Sequence, residues 1–272
     1  MSAPHSFHPP TAIPFGRTLA MLVAVSALGW LAMVGMVWDM ARIMPLSELG
    51  PGMAWFSVGR FADYEPSGIT RFLDALCITG ADPRAMLTDP IHTMGMWLAM
   101  AVAMMTPVAF PDLKVYLSLH KTARSLSTLG WLLGFLSIWA LAALVVSVLQ
   151  LALFKTGALG DGMVVDAVPM STALLLIAGA YQFTSWKTHD RRPCPASCHG
   201  SAVASGWFAG WRSVRCCWAL MAAMFALGIM NIVAASVLTV LMVAERAHKA
   251  GYVCALLGGA ALVVYGIMIM VA

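Results

Sequence analysis

The sequence has few charged residues. Lys and Arg number 16 and Asp and Glu number 12, which together make 10% of 272 residues, whereas a typical soluble domain carries about 25% charged residues. So few charges do not suit a soluble surface, and a net charge of +4 without a dense basic stripe argues against a nucleic-acid-binding protein. The chain also lacks a Gly-rich phosphate loop, a Gly-x-Ser-x-Gly elbow and a His-Glu-x-x-His motif. The enzyme classes that depend on these motifs are therefore disfavoured.

What the sequence does have is long apolar runs. Hydrophobic residues make up 61% of the chain, and a helix of roughly 20 apolar residues crosses the hydrocarbon core of a bilayer. Six runs meet or approach this length, which predicts an all-α, six-span transmembrane helical bundle in a single domain over 1–272. The predicted spans are about 18–38, 91–110, 128–154, 168–186, 216–244 and 252–271.

Two segments between the predicted spans are longer than simple connectors. Residues 39–90 form a long outer loop, in which apolar residues recur at helical spacing between Ile69 and Leu76. This spacing predicts a short amphipathic helix on the membrane surface. Residues 187–215 form a second loop, rich in Cys and Arg, on the cytoplasmic side.

The distribution of charge predicts how the chain is oriented. Nine Lys and Arg residues lie on the side of the N terminus and seven on the other side, while the acidic residues divide two against ten. Lys and Arg are enriched in the cytoplasmic loops of membrane proteins. Because six spans return the chain to its starting side, we expect both termini to face the cytoplasm.

Four of the six cysteines crowd the predicted cytoplasmic ends of the fourth and fifth spans. These are Cys194, Cys198, Cys216 and Cys217, and His199 follows the second of them. Thiolate and imidazole are ligands for zinc and Cu(I), and the cytoplasm keeps thiols reduced. A hairpin could bring the two Cys pairs together, so the cluster predicts a site for a soft metal ion. The alternative is that buried Cys packs as a small hydrophobic residue.

Methionine is unusually frequent, with 21 residues. One ridge of the second predicted span carries soft donors four residues apart: His92, Met96, Met100 and Met104. On the fifth predicted span, Cys217 and Met221 share a face. Thioethers suit Cu(I), so these residues could line an ion path, whereas the alternative is that Met fills gaps in helix packing.

Other polar and reactive residues near the spans have simpler interpretations. Gln182 and Asn231 are expected to bond neighbouring helices. Cys77 and Cys254 are both expected on the outer side, where a disulfide between them stays an open question.

Several motifs resemble those of one bacterial family. They are Met96-Trp97 with Ala103-Met104-Met105-Thr106-Pro107, Gly179-Ala180-Tyr181-Gln182-Phe183-Thr184 with Lys187, the Cys-x-x-x-Cys of Cys194 and Cys198, Cys216-Cys217-Trp218, Gly228-Ile229-Met230-Asn231, and Glu245-Arg246. The family consists of predicted metal-binding integral membrane proteins of unknown function, some of which are labelled copper chaperones. The resemblance covers about 94–246.

The resemblance implies a metal-binding protein of the bacterial inner (cytoplasmic) membrane that handles copper or delivers it to a partner. The expected metal is Cu(I), with zinc as the alternative, and the expected partners are the lipid bilayer and a membrane or metalloenzyme protein. The four clustered cysteines would be the main ligands, His199 an auxiliary one, and the span methionines secondary sites or an ion path. No chemical reaction is required. Other interpretations are a metal transporter, a non-catalytic subunit or assembly factor of a membrane complex, and, last, a thiol–disulfide relay.

Overall fold

The fold is built from helices. A computed structural model describes residues 15–41, 44–57, 89–120, 125–159, 164–165, 167–187, 200–247 and 251–271. Over these residues the chain is all-helical apart from one isolated bridge between Leu159 and Val165. The all-α prediction is therefore confirmed.

The helices follow the apolar runs, and helix-starting residues mark several of their first turns. Pro stands in the first turn of α3, α4 and α6, where its missing N–H leaves no bond unmade. The Ser201 side chain caps α7 by accepting a hydrogen bond from the Ala204 N–H. The helices are α1 (Phe15–Met40), α2 (Ala54–Ser57), α3 (Pro90–Val108), α4 (Phe110–Leu119), α5 (Ser125–Lys155), α6 (Val168–Gln182), α7 (Ala202–Leu227), α8 (Ile232–Ala247) and α9 (Gly251–Val271), with a 3-10 helix at Leu46–Leu49.

Four of these helices are long and apolar enough to cross a membrane: α1, α3, α5 and α9. They overlap the first, second, third and sixth predicted spans. Helix α6, at 15 residues, is apolar but shorter than a span. The amphipathic helix expected between Ile69 and Leu76 lies outside the described residues.

The apolar run 216–244, which we expected to be one span, is two helices. Helix α7 ends at Leu227, α8 begins at Ile232, and Gly228 between them has a φ of 97°, a backbone conformation that favours glycine. The Asn231 side chain caps α8 by accepting a bond from the Ala234 N–H, and it donates to the carbonyls of Leu227 and Pro51. Asn231 thus bonds a neighbouring segment, as expected, but it does so at a turn rather than inside a span.

The α7–α8 turn makes the two helices an antiparallel hairpin. Arg212 of α7 and Arg246 of α8 both bind Asp112, and each lies about 21 Å of helix away from the turn. We call the end of the bundle that holds Asp112, Lys187, Arg212, Glu245 and Arg246 the polar end. The opposite end, where Leu49, Val165 and Gly228 lie, is the loop end.

The helix order follows from contacts at these two ends. Helix α1 runs antiparallel to α3, because Ser26 bonds the Ala103 carbonyl and Gly29, further along α1, packs on the Ala99 carbonyl, which lies earlier in α3. The segment after α1 reaches Gly228 at the loop end. Helix α9 starts at the polar end, where Gly251 packs on Glu245. Within the described ranges seven helices run from one end of the bundle to the other: α1, α3, α5, α6, α7, α8 and α9. Because seven is an odd number, the start of α1 and the end of α9 lie at opposite ends. The described helices thus differ from the expectation that six spans return the chain to its starting side, because the fifth apolar run contains a turn.

Glycine allows α5 and α7 to pack closely. A Cβ at Gly134 would lie 2.1 Å from the Val203 carbonyl oxygen, and one at Gly206 would lie 1.9 Å from the Trp131 carbonyl oxygen. A backbone oxygen cannot move aside as the end of a flexible side chain can. Helices α5 and α7 can therefore pack this closely only because Gly134 and Gly206 have no side chain.

We expect Gly134→Ala to lower the free energy of unfolding by about 1–3 kcal/mol, because the added methyl overpacks this helix contact. Gly130→Ala is the matched control one turn earlier on the same helix. Its Cβ would meet only ordinary contacts, the nearest at 3.6 Å, and alanine favours a helix by about 1 kcal/mol. Thermal unfolding of the two purified variants in detergent measures the difference; equal midpoints would contradict the close packing of α5 and α7.

Candidate metal site and its buried ion network

Cys216 and Cys217 lie in the interior of the protein. They are neighbours in α7, each is 1% exposed, and both are free thiols. The sequence suggested that they begin a span, but α7 starts at Ala202, so Cys216 lies roughly 21 Å along the helix. The pair is therefore held by regular helix on both sides.

Beside the two thiols lies a network of buried ion pairs. The Asp112 carboxylate accepts hydrogen bonds from Arg212 and, at 2.6 Å, from Arg246 Nη1. Lys187 Nζ lies 2.8 Å from Glu245 Oε2 and also donates to Gln182. The network joins α4, α7, α8 and the end of α6. The Gln182 bond is to Lys187, five residues further along the chain, whereas we expected this side chain to bond a neighbouring helix.

Arg246 connects this network to the thiol pair. Its guanidinium binds Asp112, which also binds Arg212, one helical turn before Cys216 in α7. The charge of Arg246 acts on the Cys216 thiol. The charges of Lys187 and Glu245 act on the same thiol. A positive charge beside a sulfur stabilises its negatively charged form, which is the form that binds metals. The arrangement can therefore hold thiolates in an interior that would otherwise disfavour their charge.

Sequence reasoning found only part of this network. Asp112 received no role, and Glu245 and Arg246 were noted only as parts of a motif. A signal was nevertheless present, since Asp112 is an acid that directly follows Pro111 at the end of the apolar run 91–110. An ionisable residue in such a place is a candidate for function.

Three of the predicted ligands lie outside the described residues: Cys194, Cys198 and His199. The twelve residues that contain them, 188–199, start directly after Lys187. Within the ranges that the structure covers, no group of three or more His, Cys, Asp or Glu side chains could hold a metal ion. The described part of the site is therefore a pair of thiols with its ion network.

The other predicted ligands are spread along the bundle. Met96, Met100 and Met104 are buried in the common hydrophobic core, with exposures of 0–2%. His92 lies in the first turn of α3 at the loop end, bonded to Asp89, and this bond holds the pKa of the Asp89 carboxyl below its ordinary value. Met221 lines an apolar cavity of about 530 Å³ between α5, α6 and α7.

Cys254 does not lie where we expected it. It is in the first turn of α9, one turn from Gly251, which packs on Glu245. This is the polar end, which also holds Lys187 and Arg212, whereas the sequence placed Cys254 on the opposite side of the membrane from these residues. It is a free thiol of intermediate exposure, and Cys77 lies outside the described residues.

These features define an all-helical protein with membrane-length apolar helices and a buried thiol pair in an ion network. The chain belongs to the PpoB2 family, described as copper chaperone, whose family model matches residues 94–269. The match confirms the family resemblance seen in the sequence motifs and connects the protein with the handling of copper. It includes the thiol pair and all five charged residues of the network. Neither the comparison with curated proteins nor that with solved structures found a match.

Proposed function

We propose that this protein is a copper chaperone of the bacterial inner membrane that holds Cu(I) at Cys216 and Cys217. The observation that carries the proposal is the buried thiol pair, one helical turn from Arg212 of the ion network, in a chain of the copper chaperone family. Thiolates are soft ligands that select Cu(I). Zinc binds the same type of ligand and is the alternative cargo.

Delivery to a partner is also part of the proposal. Two adjacent thiolates leave room on the metal for a further donor, so a partner's thiolate or imidazole can add to it and take it over. Cys194, Cys198 and His199 are proposed to assist this exchange, because their segment starts at Lys187, which is itself bonded in the network. The receiving partner is a membrane or metalloenzyme protein.

The methionine ridge has a smaller part in the proposal. Met96, Met100 and Met104 are buried in the same core as the aliphatic residues around them, which supports a packing role. They and His92 are kept as secondary sites for the cargo. The function at the thiol pair does not depend on them.

Charge supports one orientation in the membrane. Six of the seven Lys and Arg residues that the structure describes lie at the polar end, and Lys155 lies at the loop end. The six are Arg17, Lys114, Lys187, Arg212, Arg215 and Arg246. Because positive residues are enriched on the cytoplasmic side, we infer that the polar end faces the cytoplasm. The start of α1 is then cytoplasmic, and the end of α9 is on the outer side.

One experiment tests location and cargo together. The full chain, carrying an epitope tag after Ala272, is produced in bacteria supplied with copper. We expect it in the membrane fraction, with the tag accessible from the outer side of spheroplasts, and with about one copper ion per purified chain by elemental analysis. A chain without copper would contradict the cargo, and a tag accessible only after membrane lysis would contradict the orientation.

A further inference from the structure

The ion network beside the thiol pair carries a net positive charge. Asp112 and Glu245 are the anions, and Lys187, Arg212 and Arg246 are the cations, so one positive charge is left over. The side chains of four members are at most 4% exposed, and that of Arg212 is 13% exposed. Water therefore screens this charge poorly, and its electrostatic interactions are stronger than at the surface.

The excess charge lies where the cargo would be held. Arg212 of the network lies one helical turn before Cys216 in α7 and binds Asp112, which also binds Arg246. The charges of Arg246, Lys187 and Glu245 act on the Cys216 side chain. A metal bound by both thiols binds two thiolates. With a monovalent ion, two thiolates make a complex of charge −1, which neutralises the network. With a divalent ion the complex is neutral, and the network keeps its positive charge in the interior.

We propose that the net charge of this buried network selects a monovalent soft cation, Cu(I) or Ag(I), over a divalent one such as Zn(II). This inference rests on the proposed function, since it concerns cargo held by Cys216 and Cys217. Its physical basis is that an uncompensated charge in a desolvated interior is costly.

Among the described residues, several polar atoms of the network have no hydrogen-bond partner, which is expected of a site whose charge changes when the metal ion binds. Within the part of the chain that the structure describes, Glu245 Oε1, Gln182 Nε2 and Arg246 Nη2 are buried without a hydrogen-bond partner. Buried polar atoms of this kind are rare in folded proteins. They give the network both donors and acceptors with which to adjust to a new charge at the thiols.

The test changes the network charge in both directions in the full-length protein. Lys187→Met removes a positive charge, and Glu245→Gln removes a negative one. The double variant Lys187→Met with Glu245→Gln restores the net charge of the natural network. Arg215→Gln is the matched control, because it removes a positive charge at an exposed position of α7, the helix that carries the two thiols. Affinities for Cu(I) and Zn(II) are measured by competition with a chelator of each ion.

We expect Lys187→Met to raise the ratio of Zn(II) to Cu(I) affinity about tenfold or more, and Glu245→Gln to lower it by a similar factor, since one unit charge nearby acts more strongly on a divalent ion. The ratio in the double variant should return to within about threefold of the natural protein, as should that in Arg215→Gln. If Lys187→Met does not fold, Glu245→Gln alone tests the inference, because it is expected to lower the ratio of Zn(II) to Cu(I) affinity.

The possible results separate this inference from the proposed function. Ratios that stay equal in all variants, while the natural protein binds Cu(I) through its thiol pair, overturn charge selection alone. Cu(I) binding that does not require Cys216 and Cys217 overturns the proposed function instead. A ratio that shifts in the double variant as much as in Lys187→Met would show that the Lys187–Glu245 ion pair, rather than net charge, matters, and it too overturns the inference.

Discussion

Replacing Cys216 and Cys217 together by serine is expected to weaken Cu(I) binding by at least about a hundredfold. Loss of a residue that only supports a metal ligand costs roughly 10–100-fold in affinity, and here both soft ligands are replaced by hydroxyls, which bind Cu(I) poorly. Serine has nearly the shape of cysteine, so the packing of α7 should change little. Copper content by elemental analysis and competition with a Cu(I) chelator measure the loss.

The matched control for the thiol pair is Cys254→Ser. Cys254 is also a free thiol at the polar end, but it lies in α9 and is only partly buried. This variant should keep the full copper content. If the double Cys variant binds copper with unchanged stoichiometry and affinity, the cargo is not held by the pair, and the protein's copper site lies elsewhere in the chain.

Asp112→Asn is expected to destabilise the protein by about 3–5 kcal/mol, the usual cost of removing one partner from a buried ion pair. The reason is the position of Asp112 between two arginines. Arg246 is almost fully buried, and Arg212 is mostly buried, so both guanidinium groups would keep their charge without its counter-ion. Denaturant or thermal unfolding of the purified variant in detergent measures the change.

Two further variants sharpen the stability test. Glu48→Gln removes an exposed acid in the segment after α1, and it should stay within about 0.5 kcal/mol of the natural protein. A triple variant, Asp112→Leu with Arg212→Met and Arg246→Met, replaces the charges by apolar side chains of similar size and should recover most of the stability lost in Asp112→Asn. A stable Asp112→Asn protein would show that the two arginines do not depend on this carboxylate.

The ion network gives the sequence motifs a physical meaning. Glu245-Arg246 closes the family resemblance along the chain, and in the structure these two residues have different partners: Glu245 pairs with Lys187, and Arg246 pairs with Asp112. Gly228 and Asn231 form the turn that brings α8 back alongside α7. The motifs therefore mark one site together with the turn that assembles it.

The sequence alone determined that the protein is helical, and it located the apolar runs, four of which are the membrane-length helices α1, α3, α5 and α9. It also gave Cys216 and Cys217 as candidate ligands. These features are local, because a run of about 20 apolar residues needs no distant partner to be recognised. The turn inside 216–244 was missed for the opposite reason. Its Asn231 bonds Pro51, 180 residues earlier in the chain, and an apolar run looks the same whether it crosses once or turns back.

Only the tertiary structure decided what surrounds the thiols. Asp112 meets Arg212 across 100 residues of sequence and Arg246 across 134, and nothing in the spacing of these residues predicts the pairing. Single charges scattered through apolar sequence have no local partner, and burial in a low-dielectric interior forces them together. The hairpin of α7 and α8 brings Arg212 and Arg246 to the same Asp112 carboxylate. It thereby places these charges near Cys216.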